Sequence, residues 1–262
     1  HLDKGLMKTL TTLDKGNKFG VPYMWGTTGI GYNIDLVKKH LGEDAPVDSW
    51  DLVFKPENME KLAGCGVAFL DSGDEIYPLV LHYLGKNPNS EKKSDYKKTS
   101  EGAKVLRDIK PYIKQFTSSA YINDLASGEI CVAVGYNGDI LQARDRADEA
   151  DNGINLAYTI PKEGTALWFD MLAIPADAKN AKAAHKFANF LMRPDVIADV
   201  TNYVWYANAN TSATKLLDKE ISSDGGIYPS DEVRKKLFTQ TVRKQKINKL
   251  LTRLWVDIKS GR

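Results

Sequence analysis

Short apolar runs alternate with helix-length stretches along most of this chain, and that alternation limits the fold more than any other feature. GVAFLD (66–71), EICVAVGY (129–136), INLAYTIP (154–161) and ALWFDMLAIP (166–175) have strand length and are rich in strand-forming residues. Between and after them lie stretches expected to be helical: 74–84 with Gly85 as its stop, 100–115, a segment opening at Ser118 or Ser119, and GDILQARDRADEADNG (138–153). NAKAAHKFANFLM (180–192) carries Ala181, Ala184, Phe187, Ala188 and Leu191 at helical spacing, with His185 read as a packing residue. Strands alternating with helices predict an α/β fold with mostly parallel sheets.

The remaining segments fit the same pattern. Residues 2–13 and 34–41 read as helices, and KFGVPYMWGTTGIGYN (18–33) as strand, turn and strand, punctuated by Pro22, Gly26, Gly29 and Gly31. That glycine order runs opposite to a dinucleotide fingerprint, so it points to extended backbone in close packing and not to a phosphate cradle. VDSWDLVFKPENMEKLAG (47–64) reads as loop and helix with Asp48 or Ser49 as N-cap, 86–98 as a surface loop, and the end as helical from about Asp231.

Several classes are excluded early. No run of eighteen apolar residues occurs, and the net charge of +2 does not by itself imply a nucleic-acid partner. His1, His40, His82 and His185 show no ligand spacing, so neither a metal site nor a cofactor is expected. The chain starts at His1 with no initiator Met and no apolar signal core, and reads as processed or truncated. Cys65 and Cys131 each sit in an apolar, strand-like run. On neighbouring strands they would bridge, closing a loop valued at about 4 kcal/mol by chain entropy, whereas two buried thiols are the plainer alternative.

Three strand ends offer carboxylates: FLDSGDE with Asp71 and Glu75, GYNGD with Asp139, and LWFD with Asp170. In open α/β sheets ligands bind outside the carboxyl ends of strands. On a strand Trp168 and Asp170 share a face, and Tyr136 puts an aromatic beside Asp139. A carboxylate next to a ring face suits an organic cation, through a charge-assisted hydrogen bond and a cation–π contact. Helix capping is the competing role for Glu75 and Asp139, and core packing for Trp168.

The runs VPYMWGTTGIGYN, APVDSWDLVFKPEN, YINDLASGEICVAVGY, FDMLAIPADAKN and VWYANAN closely resemble periplasmic polyamine-binding proteins, the putrescine and spermidine receptors of ABC importers. The resemblance runs from about Asp3 to the terminal KSGR. It implies a two-lobed type II periplasmic-binding-protein fold with a ligand cleft and hinge strands, the first lobe incomplete at the N-terminus. Residues 1–22 and 162–212 fall in the first lobe on this reading, and 23–161 and 213–262 in the second. It also implies ligand-binding roles for Glu75, Tyr136, Asp139, Trp168, Asp170 and Tyr206, a Cys65–Cys131 disulfide in an oxidising periplasm, and a membrane ABC permease as partner. Trp at position 168, where putrescine receptors tend to carry Phe, leans the ligand toward spermidine, with a putrescine-preferring receptor as the alternative.

Two other classes compete. A carboxylate-dependent hydrolase on a cationic substrate would use Asp139 and Asp170 as a pair, although no G-x-S-x-G, P-loop or H-E-x-x-H motif is present. Nucleic-acid binding would use residues 233–262, with ten Lys or Arg and the single acid Asp257. The bases there are interleaved with Leu237, Ile247, Leu250, Leu254 and Trp255, which fits a docked helix with a solvated face, so no nucleic-acid partner is expected. The resemblance to solute receptors implies that the chain is not an enzyme.

Overall fold

A computed structural model describes residues 1–261. The chain forms two compact units, one of His1–Gly26 with Leu167–Ser230 and one of Thr27–Ala166 with Asp231–Arg262.

The larger unit is built on a mixed sheet. Gln115–Phe116 and Val132–Tyr136 flank Val67–Phe69, and both pair with it in parallel. Val67, Ala68, Phe69, Val132, Ala133 and Val134 are all buried. That is why these runs are continuously apolar: a strand covered on both faces has no polar side to show. On the far side of Val132–Tyr136 the pairing reverses. The second half of Val21–Asn33 runs antiparallel to it, from Thr28 opposite Tyr136 to Tyr32 opposite Val132. The same half-strand pairs antiparallel with Leu156–Thr159 on its other edge. The expectation of parallel pairing therefore holds for these three strands, while Val21–Asn33 meets its partners Val132–Tyr136, Leu156–Thr159 and Ala207–Asn208 antiparallel.

Val21–Asn33 is also one uninterrupted strand, not two joined by a turn. Its glycines make room and do not bend the chain, since a Cβ at Gly31 would lie 2.6 Å from the Ile140 side chain. The segment 47–64 folds as two short helices, Asp51–Phe54 and Pro56–Leu62; the N-cap position of the first is Trp50, one past the expected Asp48 or Ser49, although Ser49 Oγ does accept from the Asp51 N–H at 3.1 Å. The 86–98 loop is less exposed than its polarity suggests. Lys93–Tyr96 is a 3-10 turn, and buried Tyr96 donates its hydroxyl to the Ser90 carbonyl at 2.6 Å. Trp50, Met59, Leu62, Ile76, Leu79 and Leu251 belong to the core that covers the sheet.

A disulfide joins Cys65 and Cys131, with Cα atoms 5.5 Å apart. Each cysteine stands just ahead of one of the parallel neighbours that pair Val67 with Val132, so the bridge staples their amino ends.

In the smaller unit, Lys4–Leu10 is a helix capped by Asp3, whose carboxylate accepts from the Leu6 N–H at 2.8 Å. Met24 and Trp25 pair antiparallel with Asn208 and Ala207. The Trp25 indole N–H donates to the Asn208 carbonyl at 3.1 Å, and its ring meets Tyr228 edge-on. Ala213 and Leu217 pack with Met24, Ile197 and Ala198. These contacts group 213–230 with the smaller unit, whereas the sequence division assigned them to the other lobe. Ala181–Leu191 buries none of its residues, and His185, expected to pack, is exposed together with Phe187 and Phe190.

Candidate functional site

The three parallel strands of the larger unit end along one edge of its sheet, and each is followed by a helix. Val67–Phe69 leads to Gly73–Tyr83, Gln115–Phe116 to Ala120–Ala126, and Val132–Tyr136 directly to Asn137–Glu149. Strand ends supply the turns and helix starts supply unpaired N–H groups, so this edge gathers side chains with polar tips. Glu75, Tyr121, Tyr136 and Asp139 all come from it.

Ser72 caps the first of these helices, accepting from the Glu75 N–H at 3.3 Å. Burial raises the Glu75 carboxyl above its ordinary range, neighbouring Asp74 pushes it further up, and Arg243 opposes the rise. Arg243 itself is tied to Asp74 at 2.8 Å. Asp139 sits in the first turn after Tyr136 and accepts a hydrogen bond of 2.6 Å from the Tyr121 hydroxyl. Tyr121 is fully buried, and burial together with the Asp139 charge pushes its phenol well above the usual range, so it stays protonated and donates. Asn137 is also buried, and its side-chain carbonyl accepts from the Thr27 N–H at 3.1 Å.

In the smaller unit, Trp168 and Asp170 lie two apart on the strand Ala166–Leu172, sharing a face. The half-buried rings of Trp168 and Tyr206 meet edge to face, with centroids 5.2 Å apart. Tyr206 is delivered by a backbone reversal. Trp205 ends the helix Pro194–Val204 in the left-handed region at φ 60°, an uncommon conformation for a bulky residue, and its N–H closes on the Thr201 carbonyl at 2.9 Å. Asp170 keeps solvent contact, yet partial burial raises its carboxyl above the ordinary range. Its charge adds to burial in raising the Tyr23 phenol.

The six residues singled out in the sequence thus fall into two groups: Glu75, Tyr136 and Asp139 in the larger unit, Trp168, Asp170 and Tyr206 in the smaller. Sequence reasoning missed Tyr121 and Tyr23. No motif marks Tyr121; its only sign is a polar-tipped aromatic in the first turn of a helix that follows a strand end. Part of the basic run near the C-terminus is held in ion pairs: Arg243 with Asp74, Lys244 with Glu91 and Lys259 with Asp71. Among the described residues, no group of three His, Cys, Asp or Glu is placed to hold a metal, and no helix is long and apolar enough to cross a membrane.

Residues 2–229 match the family described as bacterial extracellular solute-binding protein. A putrescine-binding periplasmic protein of Escherichia coli is 54% identical over 262 residues, all of this chain and 70% of that protein. Another, from Pseudomonas aeruginosa, is 52% identical over the whole chain and 71% of its own length. The crystal structure of a spermidine/putrescine ABC transporter substrate-binding protein of Streptococcus pneumoniae superposes with a TM-score of 0.81 at 27% identity, covering 99% of this chain and 73% of that one. The fold is accordingly the type II periplasmic-binding α/β fold, the periplasmic location agrees with the names of both sequence relatives, and the hydrolase alternative falls away, because these are transport proteins and not enzymes. The chain belongs to the family of bacterial extracellular solute-binding proteins.

Proposed function

We propose that this chain captures a polyamine in the periplasm for delivery to a membrane ABC permease, with putrescine favoured over spermidine. The observation that carries the ligand class is the pairing of carboxylate with aromatic in each unit. Asp139 follows Tyr136 at a strand end, and Asp170 stands on one strand face with Trp168. A carboxylate with a raised pKa is one whose charge is poorly compensated, so Asp170 and Glu75 both gain from an arriving ammonium. The aromatic faces of Trp168, Tyr206 and Tyr136 suit both the methylene path and the cation.

The lean toward spermidine rested on Trp168 alone. Against it, the relatives at 54% and 52% identity carry putrescine in their names, while one named for spermidine and putrescine stands at 34% over 222 residues. A thermal-shift panel followed by calorimetry with putrescine, cadaverine, spermidine and spermine tests both levels. Stabilisation by putrescine above that by spermidine is expected. No shift with any of the four rejects the polyamine reading, and a larger shift with spermidine restores the other ligand.

A further inference from the structure

Asp139 occupies the third position of the helix Asn137–Glu149, two residues after its start. In a capping box the Glu or Gln side chain at this place turns back to the N–H of the residue before the helix, and for Asp139 the corresponding N–H is that of Tyr136. That N–H is instead directed to the Tyr121 hydroxyl oxygen, at 3.3 Å, and the same hydroxyl donates to Asp139 Oδ2 at 2.6 Å. The phenol is inserted between the carboxylate and the backbone group it would otherwise cap. With an N–H on its oxygen, the hydroxyl directs its own proton to the carboxylate, and hydrogen bonds in such a chain reinforce one another.

The ring that carries this hydroxyl is fixed by packing. Tyr121 is fully buried, and it lies so close over Gly135 that a Cβ there would stand 2.6 Å from the ring. The glycine of GYNGD is therefore the seat of the tyrosine. Burial holds the phenol protonated, which keeps it a donor.

We propose that Tyr121 is a positioning residue of the binding site: it holds the Asp139 carboxylate in the orientation that receives a ligand ammonium and keeps it from collapsing onto its own helix N-terminus. The proposal rests on the polyamine reading for its ligand, and Gly135 makes room for the arrangement. A carboxylate held in place before the ligand arrives loses less freedom on binding, so the effect is on affinity.

The test uses Tyr121→Phe, which keeps the ring over Gly135 and removes only the hydroxyl. In ligand-free crystal structures the variant should show the Asp139 carboxylate turned toward the Tyr136 N–H; an unmoved carboxylate overturns the proposal. In calorimetry the variant should bind putrescine about tenfold more weakly than wild type. The same change made on an Asp139→Asn background should cost nothing further, because the group it positions is gone. Equal cost in both backgrounds marks a merely structural tyrosine and also overturns the proposal. If wild type binds no polyamine, the functional reading fails, and the ligand-free structures still decide what Tyr121 does. Should the Phe variant lose its thermal transition, ring-fluorinated tyrosine at position 121, a stronger donor of the same shape, replaces it; the putrescine Kd should then change by about twofold or more, and an unchanged Kd counts against the proposal.

Discussion

The edge of one ring meets the face of the other where Trp168 and Tyr206 come together, with centroids 5.2 Å apart and planes at 70°. Such a pair is worth about 0.5–1.5 kcal/mol beyond simple burial, and it fixes the angle at which each ring is shown to a ligand. Tyr206→Ala should therefore weaken every polyamine by a similar factor of up to about tenfold, since the Trp168 ring loses its support. Trp168→Phe should act differently and move the spermidine-to-putrescine ratio toward putrescine. Competition calorimetry with the two ligands reads both variants, and an unaltered ratio removes Trp168 from the selectivity argument.

Asp170→Asn should cost at least about tenfold in affinity, from the loss of a charge-assisted hydrogen bond to the ammonium. Isothermal titration decides it, and an unchanged Kd takes Asp170 out of the site.

The pH dependence of binding follows from the same carboxylate. A cationic ligand needs Asp170 ionised, and burial has raised its carboxyl. Affinity should hold near neutral pH and fall on acidification, beginning above the ordinary carboxylate range. In Asp170→Asn that acid limb should flatten. A wild-type profile that stays level down to the ordinary Asp range contradicts the assignment.

Glu75 offers a stability measurement. Its folded-state pKa is raised, mainly by burial, so folding favours the protonated form. The stabilisation linked to this group is complete below its unfolded pKa and is lost as pH rises through the folded one. Glu75→Gln should accordingly raise the ligand-free Tm at neutral pH while weakening the ligand, and the gain should shrink on acidification as the wild-type carboxyl takes up its proton. A Tm gain independent of pH would point to some other cause.

Thiol titration of the unreduced protein should find neither Cys65 nor Cys131. Reduction should lower stability by about 4 kcal/mol on the chain-entropy account of a 66-residue separation. Chemical denaturation with and without reductant measures the difference.

How much of this was readable in advance depends on range. The α/β class, most helices and the strand-end acids followed from local pattern, because burial on both faces leaves apolar runs and strand ends leave polar ones. Strand direction did not: whether Val21–Asn33 runs with or against Val132–Tyr136 is decided by pairing across a hundred residues, not by either sequence. Pro22 and the glycines suggested a turn, yet Gly31 answers to Ile140, a partner invisible from its neighbours. Tyr121 escaped for a related reason, since with Leu125 it reads as an ordinary apolar stripe, and only the fold brings its hydroxyl to Asp139. The assignment of 213–230 also needed the packed structure, through Ala213 and Leu217 on Met24.

The bridge between Cys65 and Cys131 sits at the amino ends of two strands whose carboxyl ends lead to Glu75 and Asp139. What anchors the framework and what is proposed to meet the ligand are thus at opposite tips of the same two strands. Residues such as Glu75 and Tyr136 stand open to exchange for a different solute while the anchored tips and the buried strand bodies stay as they are, which makes this sheet edge the natural place to graft a new specificity.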